Sequence, residues 1–395
     1  KHLTNKRSDF ENDGAKKMIF DYGGPNIGKP LHVGHMRTLN IGRSLYNIHS
    51  FFGNNVVSDI HLGDWGMPIA QIITYIEDES IDINTLDSNQ LEIIYPKASK
   101  QYKDNKEFKV RAQEINKLLN NNDSELLKIW ELIKNISIKS LEENFSLLNH
   151  SFDYWLGESD VNELIPEMIE SLYKNKKIID DSGALISAED TDPKILITKS
   201  DGSYLYITTD LATILYRQNN IGYDKALYIV DNRQSLHFKQ LFSSIKFFEF
   251  NNQDHEHVSY GTLNDLDGNP FKTRDGGTKP LGELFKETYE YIKNINNNLE
   301  DSTIKQLANS VLTFSDLMTN RRTDYKFDLE KFTNVNGKTG IYVQYAQVRA
   351  KKLQKSIDHQ KNKFETLVLS EVDKQLLSQL FKFGYFLGQS SSLND

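Results

Sequence analysis

The chain of 395 residues is 38% hydrophobic, 26% charged and 11% aromatic, with a formal net charge of −8. That is a globular composition, too long for one ordinary core, so two or three domains are expected. It excludes a uniformly basic nucleic-acid binder and a bilayer-spanning segment, and the lack of cysteine excludes disulfides and thiolate zinc sites.

Lys1 to Lys17 is polar and reads as a leader or a connecting loop. "MIFDY" (Met18–Tyr22) predicts a short buried strand, and the Gly/Pro-rich residues after it predict a turn. "LHVGHMRTLNIGRSLYNIHSFFG" predicts a helix, because Met36, Leu39, Leu45, Ile48 and Phe52 recur at helical spacing and Gly53 suits its end. "NVVSDIHLGD" predicts a second strand. Strand, turn, helix and strand make a βαβ unit, and therefore a parallel sheet. From about Ile69 to Asp190 long periodic segments such as "KEFKVRAQEINKLL" predict surface helices, as an insertion between two halves of a nucleotide-binding fold. Strand signals return at "ALYIVD" (Ala226–Asp231) and "HVSYGTL" (His257–Leu263). After Asp328 the pattern is helical again, and "GIYVQYAQVRAKKLQKSI" carries a basic face.

The chemistry concentrates in "GGPNIGKPLHVGHMR", Gly23 to Arg37. A glycine-rich turn between a strand and a helix brings backbone N–H groups and the positive end of a helix dipole against an anion. His32 and His35, expected on neighbouring faces of the first helical turn, can both donate to phosphate oxygens. Gly34 between them leaves room for a flat ring or a ribose. Lys29 adds a mobile positive charge. A chain with 10 His and 22 Gly yields far fewer than one chance match to His-x-Gly-His, so a plain turn with incidental histidines is the weaker reading.

"PNIGKPLHVGHMRT" resembles the first signature of class I aminoacyl-tRNA synthetases, in the form found in arginyl-tRNA synthetases. "HLGDWG", "YITTDLATILYR", "YIVDNRQSLHFKQLF", "GNPFKTRDGGT" and "GIYVQYAQVRA" are similar to further blocks of that family in the same order, over roughly Met18 to Ala350. The resemblance implies an α/β fold: a Rossmann-like parallel-sheet catalytic domain split by an insertion, then an α-helical anticodon-binding domain. The implied division is 1–68 and 191–265 as the catalytic halves, 69–190 as the connective insertion, 266–327 as the signature-loop and stem-contact region, and 328–395 as an incomplete helical domain.

The same resemblance implies that L-arginine and ATP give arginyl-adenylate, which is transferred to tRNA(Arg), with Mg²⁺ accompanying the nucleotide. His32 and His35 are then the phosphate donors, with Gly34 under the adenosine. The second signature is altered here: in "FKTRD" Arg274 stands where the key lysine is expected and Lys272 falls elsewhere, so Lys29 is expected to take over the role. Arginine recognition should use carboxylates, because a guanidinium is planar, permanently charged and forms bidentate pairs. Asp210 and Tyr206 match the guanidinium site, Asp21 and Gln234 other substrate contacts, and Asn26 a contact to the α-amino or carboxylate end. Asp210 is also a candidate cap for a helix starting at Leu211. Gly24 departs from the usual serine. "HLGDWG" reads equally as a structural turn and as a substrate contact, and His237 reads as helix-start structure rather than a ligand.

Tyr342, Tyr345 and Arg349 are candidate tRNA contacts, by stacking and phosphate binding, against a merely solvated basic face. The chain starts at Lys1 rather than Met and has no room for the family's full terminal domains, so a fragment, a naturally short enzyme and a paralogue that binds ATP and arginine without charging tRNA all stay open. No metal site is visible in the sequence; a monomer in the cytoplasm is expected.

Overall fold

Alternation along the first strand decides what each layer of the protein receives. In β1 (Lys17–Tyr22) the side chains of Met18, Phe20 and Tyr22 enter one apolar cluster, while Ile19 enters another on the opposite face. The computed structural model describes residues 14–395 apart from 190, 192–193, 201, 251, 270–278 and 357–367. After β1 come α1 (His35–Phe51), β2 (Asn55–Asp59) and α2 (Met67–Asp78). Next are α3 (Ser88–Asp104), α4 (Lys106–Asn120), α5 (Ser124–Leu147) and α6 (Leu164–Lys174). Three short strands follow, β3 (Ile178–Asp181), β4 (Ala184–Ser187) and β5 (Leu196–Thr198), then α7 (Tyr206–Tyr216). The second half of the main sheet is β6 (Lys225–Ile229), α8 (Ser235–Phe248) and β7 (Asp254–His257).

These strands form a parallel sheet in the order β2-β1-β6-β7. The chain leaves β1 toward β2 on one side and leaves β6 toward β7 on the other, so the strand order reverses between β1 and β6. In open parallel sheets the crevice at the carboxyl ends of such a pair is the place for a ligand. The expected Rossmann-like architecture is therefore present. One prediction fails: the strand ends at His257, and after a bond from Val258 N–H to the Tyr228 carbonyl and a bridge between Tyr260 and Asp231 the chain passes to another sheet at Leu263.

The remaining elements are β8 (Leu263–Asn264), α9 (Leu281–Ile295), α10 (Asp301–Leu317), β9 (Tyr325–Lys326), α11 (Leu329–Thr333), α12 (Gly340–Ser356) and α13 (Glu371–Leu393). β8 pairs with β9, so Leu263 serves a second, two-stranded sheet. Buried Arg37 ties α1 to α10, with Nε 3.0 Å from Asp316 and Nη1 donating to the carbonyls of Gly261 and Thr323. Helices α2 to α5 close around their own isoleucine- and leucine-rich cluster. α2 runs across position 68/69, and β5 pairs with β4 across position 190/191, so junctions there would cut a helix and a sheet.

Candidate active site

Beyond β1 the backbone turns through Gly23 (φ +99°), where a Cβ would press on Ile60 and Phe152, and Gly28 (φ +73°). Thr38 fastens this turn to the sheet: its Oγ1 accepts from the Gly23 N–H at 3.0 Å and donates to the Ile229 carbonyl at 2.7 Å. Leu31 to Val33 then runs beside Lys279 to Leu281, with backbone bonds Val33 N–H to Lys279 O at 2.9 Å and Leu281 N–H to Leu31 O at 2.8 Å. The result is a cavity of about 560 Å³ at the β1/β6 switch point, the size of an ordinary small-molecule site.

The helix starts later than its apolar spacing suggests. His35 is its first residue and Gly34 its cap, while His32 lies in the preceding turn. The two rings still meet, with centroids 3.9 Å apart. His32 Nδ1 accepts from the Gly34 N–H and His35 Nδ1 from the His32 N–H, each at 3.1 Å. Both imidazoles must then carry their proton on Nε2 and keep that N–H as a donor. Burial lowers His32 to about 4, helped by Lys29 and Arg233, and lowers His35 to about 3, helped by His32 and Lys29. At neutral pH the pair is uncharged and presents two N–H donors. Gly34 is required by this pair, since a Cβ there would stand 2.9 Å from the His32 ring.

Lys29 does not line the cavity. Its Nζ sits 5.8 Å from the Tyr95 ring centroid on α3, close enough for its charge to depress both histidines. Arg233 does line it, held by Asp231 through two 2.9 Å bonds, and the sequence reading missed it. Lys272 and Arg274 lie outside the described residues.

The opposite wall is acidic. Asp210 belongs to the second turn of α7, which starts at Tyr206, so it is no helix cap; its Oδ2 lies 2.5 Å from His237 Nε2. His237 is thus more than helix-start structure. Asp21 lines the cavity but shares an oxygen with buried Arg217, whose Nη2 is 2.7 Å from Asp21 Oδ2 and 2.6 Å from Asp59 Oδ2. Asn26 and Gln234 line the same cavity. Tyr206, 75% exposed, instead lines an adjoining groove of about 1720 Å³ that shares Asn26, Gly63, Glu158 and His237.

Glu158 faces both spaces, and burial together with repulsion from Asp64 and Asp210 raises it to about 7. Nothing local in "WLGESD" marks it. Asp64 of "HLGDWG" is wholly enclosed, 2.6 Å from Lys134 Nζ and accepting from the Ser159 N–H and hydroxyl. That segment braces Glu158 through structure. Gly24 (φ +47°) has open space around it. Tyr342, Tyr345 and Arg349 stand exposed on α12, away from the cavity, with the Arg349 guanidinium 5.6 Å from the Tyr345 ring centroid.

A parallel sheet of Rossmann-like topology is what the sequence resemblance implies, and its switch point carries the cavity. The family model described as tRNA synthetases class I (R), catalytic domain, matches residues 1–329. The chain belongs to this family. Among class I (R) synthetase relatives, the arginine–tRNA ligase of Francisella tularensis subsp. novicida is 40% identical over 361 residues, 87% of this chain and 62% of its own length. That of Agathobacter rectalis is 36% identical over 394 residues, covering 89% and 66%. The crystal structure of arginyl-tRNA synthetase from Plasmodium falciparum superposes with a TM-score of 0.76 at 27% identity, over 98% of this chain and 69% of that one. The Thermus thermophilus arginyl-tRNA synthetase shares the fold, with a TM-score of 0.79 at 17% identity over 98% and 73%. The chain spans about two thirds or less of the length of these curated relatives.

Proposed function

We propose that the chain is the catalytic part of an arginine–tRNA ligase, forming arginyl-adenylate from L-arginine and ATP and passing the arginyl group to tRNA(Arg). The observation that carries this reading is the convergence of His32, His35, Asp210 and Glu158 on one cavity at the carboxyl edge of the sheet. A carboxylate oxygen of arginine attacks the α-phosphorus, the bond to the β-phosphate oxygen breaks, and pyrophosphate leaves. Such a reaction needs little covalent work from the protein; positioning and charge stabilisation dominate.

His32 and His35 donate their Nε2–H groups to phosphate oxygens, and the open face of Gly34 takes the adenosine. Lys29, Arg233, Lys272 and Arg274 supply positive charge to the triphosphate. The guanidinium lies against Asp210 and Glu158 with Tyr206 and Gln234 beside it, and the α-amino and carboxylate end lies toward Asp21 and Asn26. Imidazole and cationic groups, not carboxylates, surround the histidine pair, which suits a Mg²⁺ ion carried on the phosphates and its own waters. When bound, that ion neutralises part of the phosphate charge. Tyr342, Tyr345 and Arg349, exposed on α12, are the proposed tRNA contacts. For the domains we propose the division 1–68 and 191–265, 69–190, 266–327 and 328–395, with the insertion junctions shifted to spare α2 and the β3–β5 sheet.

The test is arginine-dependent exchange of pyrophosphate into ATP, with and without tRNA. The ligase reading predicts exchange that needs both arginine and tRNA. Exchange indifferent to arginine, or none with tRNA present, refutes it; arginine and ATP binding without exchange identifies the non-charging paralogue.

A further inference from the structure

The acidic wall holds a close histidine–carboxylate contact that the reaction itself does not require. His237 Nε2 and Asp210 Oδ2 are 2.5 Å apart, and both side chains are a little under one third exposed to the cavity. A guanidinium engages a carboxylate best through two parallel N–H···O bonds, one to each oxygen. A guanidinium that takes both oxygens of Asp210 must therefore share Oδ2 with His237 and come to lie against the imidazole.

We propose that His237 is a positioning residue for Asp210 and that arginine binding expels its proton: the guanidinium takes Oδ2, and the imidazole is left neutral as the proton passes to solvent. This rests on the arginine-binding reading given above. An imidazolium left beside a guanidinium would be a like-charge contact in a partly enclosed site, whereas a neutral imidazole costs little.

The surroundings favour a charged His237 before substrate arrives. It faces Asp210 from α7 and Glu158 from the turn 158–161, with Asp231 and Arg233 in the turn ahead of α8, Lys239 on α8 itself and His257 on β7. The bond to Asp210 raises His237 above its ordinary value. The ring is set edge-on to Phe238, with centroids 5.5 Å apart, and Phe238 stacks on His257 at 4.5 Å, so the imidazole is held close to Asp210 by packing. In the free site His237 keeps Asp210 oriented while the nearby carboxylate of Glu158 shares the same wall.

Calorimetric titration of the full chain with L-arginine, in buffers of equal pH and different ionisation enthalpy, counts the protons released. Near neutral pH the wild type is expected to release protons from His237 and Glu158 together, with affinity rising up to about tenfold per pH unit for each proton released. Glu158→Gln should keep the His237 share, His237→Gln should lose it, and the double variant should release almost none. His237→Asn repeats the comparison if His237→Gln melts early. Equal proton counts and equal pH slopes in wild type and His237→Gln overturn the proposal while leaving arginine binding intact. Loss of all release in Glu158→Gln alone overturns it too. A wild type that gives no heat with arginine in any of the buffers, with tRNA present as well as without it, overturns this proposal and the ligase reading together.

Discussion

Arg217 donates from Nη2 to Asp21 Oδ2 at 2.7 Å, so the carboxylate expected to meet substrate is already half committed to the fold. The same nitrogen reaches Asp59 at 2.6 Å, and Arg217 and Asp59 are fully enclosed. Removing the cation strands the enclosed Asp59 carboxylate and leaves Asp21 unpaired at the cavity wall. Arg217→Leu should therefore lose about 3–5 kcal/mol of stability, read as a lowered urea midpoint at unchanged slope. A midpoint within error of wild type would mean that the triad contributes nothing to folding.

Asp210 carries the guanidinium in the proposed site. Asp210→Asn keeps its shape but not its charge, and should weaken arginine binding by about 2–5 kcal/mol, roughly 30-fold or more. ATP affinity should stay within about twofold of wild type. Parallel loss of ATP and arginine binding would point to a collapsed site instead.

The histidine pair should not titrate near its ordinary pKa. His32 and His35 fall to about 4 and about 3 because burial disfavours their charged forms. The unfolded chain takes up these protons below about 6.5 while the folded one does not, so their contribution to stability is complete above that pH. It is lost progressively as pH falls from about 6.5 toward about 4 for His32 and toward about 3 for His35. Imidazole NMR signals followed from pH 8 to 4 check this directly, and a midpoint near 6.5 for either ring would contradict it.

Gly34→Ala places a methyl group 2.9 Å from the His32 ring, which must then turn away from His35. Misplacement of a positioning group by about 1 Å costs on the order of a hundredfold in rate. The expected result is a loss of about 10- to 100-fold in arginine-dependent exchange, with arginine affinity and thermal stability near wild type. Unchanged exchange would remove His32 from the phosphate site.

On α12, the Arg349→Ala variant should weaken tRNA binding without altering the KM for arginine, and reduce the slope of log affinity against log salt by about one. A salt slope equal to wild type would return this helix to a plain solvated surface.

The residues that read most clearly in the sequence are those whose signal is local. Strand β1, the glycine turn, α1 and β6 announce themselves by short apolar runs, a Gly/Pro cluster and helical spacing, each over a short stretch of chain. The histidine pair was legible for the same reason, although the start of α1 was not: His32 forms a turn with its own backbone bonds, which periodicity cannot see. "HVSYGTL" misled because an apolar run carries no record of which strand it will pair with; Leu263 finds β9 rather than the main sheet.

What the sequence by itself determined was the class of fold, the glycine-rich turn with its histidine pair and the family, since all of these rest on residue types at fixed short spacings. Only the tertiary structure decided how the charges pair. Asp21 meets Arg217, Asp210 meets His237, and Glu158 is raised toward neutrality by burial and by Asp64 and Asp210 from other parts of the chain. Those relations depend on distances of a few ångströms between segments brought together by the sheet, and Coulomb and desolvation energies vary steeply over such distances. No local pattern encodes them.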